Sequence, residues 1–141
     1  NNKQYGSSGG GGGIPIQFNG NTSVVSSGNL PRDGGLQSIA FHATTMSVDA
    51  RAGSRVTFGT LTANVTAMAA PTNMPPLPER IPFEFYMLQD GTGTRTFVWH
   101  AKFVGAWPTG AGTAGQKQIV RGVTDGVNFL FVSSTGWYTA T

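Results

Sequence analysis

A chain of 141 residues, 38% of them hydrophobic and 11% aromatic, holds enough apolar surface for one compact core, so a single domain is expected. Only 11% of residues are charged, 21 are glycine and none is cysteine; this argues against solvated amphipathic helices and excludes both a disulfide framework and a thiol nucleophile. The formal charge of +3 is carried by single, scattered cations, unlike the clustered basic and aromatic surface of a nucleic-acid-binding protein, and no stretch approaches the roughly 20 apolar residues of a membrane-spanning helix.

Residues 1–13, with Ser7-Ser8 followed by a run of glycine, read as a low-complexity linker that cannot repay its ordering entropy by burial. The missing initiator methionine and the polar start predict a fragment of a longer chain. No signal peptide is visible. A β domain is expected over 14–141, divided into a lead-in segment and loop at 14–35 and a core at 36–141. In the lead-in, Ile14-Pro15-Ile16-Gln17-Phe18 suits an extended edge segment, because Pro15 cannot donate to a sheet ladder. Asn19-Gly20-Asn21 marks a turn, Thr22 to Ser26 a short strand, and Gly28 to Gly35 a loop.

Leu36 to Arg51 alternates in a way that predicts one or two strands. Arg55 to Leu61 follows with Val56 and Phe58 on one face, and Ala63 to Ala69 with Val65 and Ala67 on one face. Pro71 to Pro82 contains five prolines and reads as a stiff connection. From Phe83 to Phe103 two alternating arms flank Asp90-Gly91-Thr92-Gly93, which predicts a long hairpin with an aromatic face that nucleates the core. Gly105 to Gly115 is a loop. A second hairpin is expected from Gln116 to Val123 and Val127 to Val132 around Asp125-Gly126, and Gly136-Trp137-Tyr138-Thr139 is a final short strand candidate. Many short strands and no defensible helix give an all-β fold, expected as an antiparallel β-sandwich.

Motifs that carry chemistry are weak. Gly110-Ala111-Gly112-Thr113-Ala114-Gly115 spells a dinucleotide fingerprint, but a β-rich stretch follows it and no acid stands about 20 residues on. Gly6-Ser7-Ser8-Gly9-Gly10 spells a nucleophile elbow inside the linker. The six acids fall mostly at turns or strand ends, where local hydrogen bonding explains them; Asp49 and Glu84 form the only carboxylate pair worth weighing for glycoside hydrolysis. His42 and His100 lack metal-ligand spacing, so neither a metal nor a cofactor is expected. Trp107, Trp137 and Tyr138 lie in loops or near the terminus, where aromatics stack on sugars, cap a core or enter a subunit interface.

The run Gln89-Asp90-Gly91-Thr92-Gly93-Thr94-Arg95-Thr96-Phe97-Val98-Trp99 resembles a recurring β domain of bacteriophage tail fibres and minor tail proteins. Similar elements extend the likeness over roughly 55–133: Leu61-Thr62-Ala63-Asn64-Val65-Thr66, Pro71-Thr72-Asn73, Lys102-Phe103, Gly105, Pro108, Ala114-Gly115-Gln116-Lys117 and Asp125-Gly126. Phe103 and Phe129 stand where the family has tryptophan, and Gln118 where Asp is frequent. The resemblance implies a non-enzymatic virion domain, jelly-roll-like and homotrimeric. It would pair with other tail proteins and mediate attachment to a host cell-surface glycan or protein. It brings no catalytic residues. Trp107, Trp137 and Tyr138 are then the candidate ligand-binding residues. A purely structural virion module, such as a head fibre, capsid decoration or tail adaptor, is the alternative.

Overall fold

Strict alternation fixes the central strand. The computed structural model describes residues 35–139; the expected linker at 1–13 and the lead-in, apart from Gly35, lie outside the described residues. Six strands follow one another: β1 (Leu36–Ile39), β2 (Arg55–Phe58), β3 (Pro82–Leu88), β4 (Phe103–Val104), β5 (Lys117–Thr124) and β6 (Phe129–Ser134). Along β3, Phe83, Phe85 and Met87 are buried and Glu84, Tyr86 and Leu88 are half-buried, as a strand with one face on a core requires. Among the described residues there is no helix.

All six strands join one sheet in the order β1-β2-β3-β5-β6-β4. β1 pairs with β2 and β2 with β3 in parallel, β3 with β5 and β5 with β6 antiparallel, and β6 with β4 in parallel. The sheet is therefore mixed, which corrects the expectation of an antiparallel one. Parallel neighbours need long crossovers, and the connections 40–54 and 59–81 provide them. They also supply core residues, with Met46, Val48, Ala50, Leu61, Val65 and Met68 all buried.

The expected hairpin from Phe83 to Phe103 does not form. Its first arm is β3, but β3 is flanked by β2 and β5. The second arm turns back over the buried face, where Phe97 meets Val65 in an isolated parallel bridge and Phe97 and Trp99 are buried. Both arms alternate because both contribute rings to one core; the second contributes from the layer above the sheet. The second expected hairpin is present as β5 and β6. Its turn is held by Asp125, whose Oδ1 accepts the N–H groups of Val127 and Asn128 at 3.0 and 2.6 Å. A register shift beside Arg121 and Gly122 puts a bulge in this pair.

The core is a continuous ring network. Phe85, fully buried, lies within 6.1 Å, centroid to centroid, of Phe58, Phe83, Trp99, Phe103, Trp107 and Phe129. Most of these pairs are edge-to-face, the arrangement that the ring quadrupole favours. Gly122 makes room for this packing: a Cβ there would stand 2.6 Å from the Trp107 ring and 2.7 Å from the Leu130 carbonyl oxygen. Two glutamines are used as backbone clamps. Gln37 donates to the Asp49 carbonyl at 2.8 Å and accepts the Asp49 N–H at 2.9 Å, so its amide pairs with the chain as a strand would.

Phe85→Ala should lower stability by about 3–5 kcal/mol, the range for a large ring deleted from a packed core; urea unfolding followed by Trp fluorescence measures it. Gln118 gives the opposite sign. It is 1% exposed and its Nε2 has no hydrogen-bond partner, an uncompensated desolvation that costs about 1–3 kcal/mol. Gln118→Met, close in volume, should therefore raise the urea midpoint, and a lower midpoint would show that the amide is satisfied.

Candidate functional site

Where β3 ends and β5 begins, three loops close on one another. The first is 89–95. Gln89 is buried at the end of β3; its Nε2 donates to the Arg95 carbonyl at 2.8 Å and its Oε1 accepts the Arg95 N–H at 2.9 Å, the same clamp as at Gln37. Asp90 gathers four donors. Its Oδ1 accepts the N–H groups of Thr92 and Gly93 at 3.1 and 2.8 Å and Arg95 Nε at 3.3 Å, and its Oδ2 takes the Arg95 guanidinium at 2.9 Å. The Arg95 side-chain bond, the largest influence, and the Gly93 N–H hold the Asp90 carboxyl below its ordinary value of 3.8.

The second loop, 110–116, is tied to the first. The Asp90 carbonyl accepts from Gly115 N–H and the Gly112 carbonyl from Thr94 N–H. Thr94 sits at a φ of 63°, uncommon for a β-branched residue, and this is what lets its N–H reach Gly112. Gln116 Oε1 accepts the Thr113 N–H at 2.8 Å. The glycine run leads into β5 and not into a helix, so its dinucleotide-fingerprint spelling has no phosphate-binding context. The nucleophile-elbow spelling at 6–10 lies outside the described residues.

The third loop carries two of the expected site residues. Tyr138 and Lys117 exchange both backbone hydrogen bonds, at 2.8 and 2.9 Å, so the expected last strand is a single antiparallel bridge. Trp137 is half-buried, donates its indole N–H to the Gly110 carbonyl at 3.0 Å and lies on Gly112, where a Cβ would stand 2.6 Å from the ring. Around it Thr92, Thr94, Ala111, Thr113, Ala114 and Thr139 are exposed. The result is a rim of hydroxyl and small side chains about one fixed indole, with Asp90 and Arg95 paired to each other and Lys117 beside Tyr138.

Trp107 belongs elsewhere. Its expected place in an exposed loop surface is corrected: it is 6% exposed, donates its N–H to the Val104 carbonyl at 3.0 Å and packs on Phe85, Trp99, Phe103 and Phe131. A Gly-rich loop is expected to present its aromatic, but this loop dips into the core, where the ring removes more apolar area from water. The structure thus brings Trp137 and Tyr138 together and leaves Trp107 apart.

Asp49 and Glu84 serve separate partners. Asp49 Oδ1 accepts from the Arg51 N–H and from Asn73, both at 2.9 Å, and Glu84 Oε2 accepts from Arg121 at 2.9 and 3.1 Å. His42 and His100 each use Nδ1 to accept a backbone N–H two residues on, from Thr44 and Lys102, both at 3.1 Å. No group of His, Asp and Glu suited to a metal occurs among the described residues. Sequence reasoning missed the clamps of Gln37 and Gln89; a glutamine buried at a strand position is the signal, and it is visible only once the strand's facing is known.

No protein-family model, no curated protein and no solved structure matches the chain.

Asp90 and Asp125 set an acid limit on this fold. Both carboxyls are held below their ordinary value, Asp125 chiefly by the Asn128 N–H and then that of Val127. A depressed folded value means stability that is complete above about pH 4 and declines as pH falls through the folded value. Thermal midpoints should therefore drop below about pH 4, and Asp90→Asn should flatten that drop while lowering the midpoint at pH 7. An unchanged acid slope in Asp90→Asn would remove the carboxylate from this role.

Proposed function

We propose that the chain is a structural domain of a bacteriophage tail fibre or minor tail protein that assembles as a homotrimer and mediates attachment to the host cell surface. The one observation that carries this reading is the behaviour of the motif on which the family resemblance rests. Gln89, Asp90, Gly93 and Arg95 satisfy one another and brace the 110–116 loop, so the signature is a scaffold device and presents no chemistry of its own. Binding residues on loops held by a rigid sheet suit such a domain, and a trimer would multiply weak contacts into useful avidity. In this reading Trp137 and Tyr138 form the recognition surface, and a jelly-roll-like sandwich describes the layering of sheet and covering segments.

A specific observation favours the second reading, a structural virion module without a host ligand. Trp107 is buried and Trp137 is bonded into its own fold, so the indoles contribute to stability whether or not a ligand exists. It predicts contacts with other virion proteins.

Light scattering of the purified chain, followed by binding of the same sample to host cells, decides between them. A trimer that binds cells, and loses about tenfold or more in affinity on Trp137→Ala while the variant keeps its mass and stays folded at the assay temperature, supports attachment through this loop cluster. A trimer or monomer that binds no cells favours the structural module.

A further inference from the structure

The charges of the described residues, seven Lys and Arg and five Asp and Glu, avoid one side of the sheet. None falls in 103–116 or in 126–139, the stretches that hold β4 and β6, and these two strands end the sheet order. A sheet edge that meets water is ordinarily guarded by charge. Register shows what stands there instead: Pro82 lies opposite Val123, Val123 opposite Leu130 and Leu130 opposite Val104. Their chain neighbours Phe83, Thr124, Phe129 and Phe103 are buried, so this row of four points away from the core. Antiparallel strands whose outer side meets water carry polar residues on it; here β3, β5, β6 and β4 all contribute apolar ones to one row. Val104 is 45% exposed, and Val132, which the bulge leaves without a partner on β5, is 60% exposed. The adjacent row holds Glu84 and Arg121, which are paired with each other at 2.9 Å.

We propose that copies of the chain meet at this stripe, so that its occupant is the same side of a second copy. Contiguous apolar side chains across three strand spacings, about 14 Å, mark a protein contact. Charge narrows the choice of occupant. Partners of a different sequence are ordinarily selected and steered by complementary charge, and an anionic lipid surface by nearby Lys and Arg; β4, β6 and the loops that follow them supply neither. Packing about a symmetry axis makes the opposite demand. Each side must tolerate itself, and a charge-free apolar surface does so without like-charge repulsion. An added peptide strand is disfavoured as well, because β4 is two residues long and the Phe103 N–H is already taken by the His100 carbonyl at 2.8 Å; the contact is made by side chains and not by a backbone ladder. At the other edge of the sheet Leu36 is exposed singly, opposite Arg55 in the register, which is ordinary for a surface.

This contact rests on the self-association in the reading above, and on neither host attachment nor the number three. The mass of the full chain is measured by analytical ultracentrifugation over a wide range of concentrations, for the wild type and for Val104→Lys, Val132→Lys and Thr57→Lys, the last at an exposed position on the outer side of β2. The expected result is an oligomer for the wild type and for Thr57→Lys, and single chains for Val104→Lys and Val132→Lys, with thermal midpoints that show them folded. Val132→Thr, close in shape, stands in for a lysine variant that fails to fold and should weaken association about tenfold. Single chains of wild type at every concentration, an oligomer that keeps its mass in the folded Val104 and Val132 variants, or equal dissociation by Thr57→Lys would overturn it. A wild-type oligomer indifferent to these substitutions leaves the trimer reading standing without this interface, whereas a dimer broken by them keeps the interface and removes the trimer.

Discussion

The fold depends on the packing of rings around Phe85, most of them edge to face. A sheet of six short strands, two of them of four residues and one of two, cannot hold itself together by ladder hydrogen bonds, whose net contribution is modest. What fixes the strands is that Phe58 from β2, Phe83 and Phe85 from β3, Phe103 from β4 and Phe129 from β6 all reach the same cluster. Phe97, Trp99 and Trp107 close it from above. Mixed strand directions are tolerated because the core reads only which face a ring is on.

Side-chain amides and carboxylates do for the loops what rings do for the sheet. Gln37 and Gln89 each pair with both polar groups of a distant backbone residue, and Asp90 and Asp125 each collect the N–H groups of a turn. These contacts satisfy backbone that would otherwise be orphaned near the core. They also explain why a chain with so few charged residues still needs the acids it has.

Much of this was legible in the sequence. Period-two runs located β2, β3, β5 and β6, and the Asp125-Gly126 signal located the hairpin between the last two. Apart from that hairpin, strand partners were not legible, because alternation states which face a residue occupies and says nothing of which strand lies beside it. Phe97 and Trp99 alternate as a strand would, yet they belong to the covering layer, and a local turn signal at Asp90-Gly91 suggested a pairing that non-local contacts override. The site was legible in part: Trp137 and Tyr138 do share a loop cluster, whereas Trp107 is indistinguishable by sequence from an exposed loop aromatic.

The position of β3 between β2 and β5 has a consequence for how the chain comes to be folded. Its neighbour on one side precedes it by a long crossover, and its neighbour on the other follows after residues that must first lie across the sheet. Neither half of the described chain therefore contains a finished core: during synthesis, β3 keeps one edge unpaired and Phe83 and Phe85 lack the Phe129 ring until β5 and β6 have emerged. Ordering such distant segments before any contact rewards them makes folding slow for a domain of this size, and a nascent chain halted before Lys117 would offer the open edge of β3, with Phe83 and Phe85 short of their Phe129 neighbour, to whatever chaperone or strand reached it first.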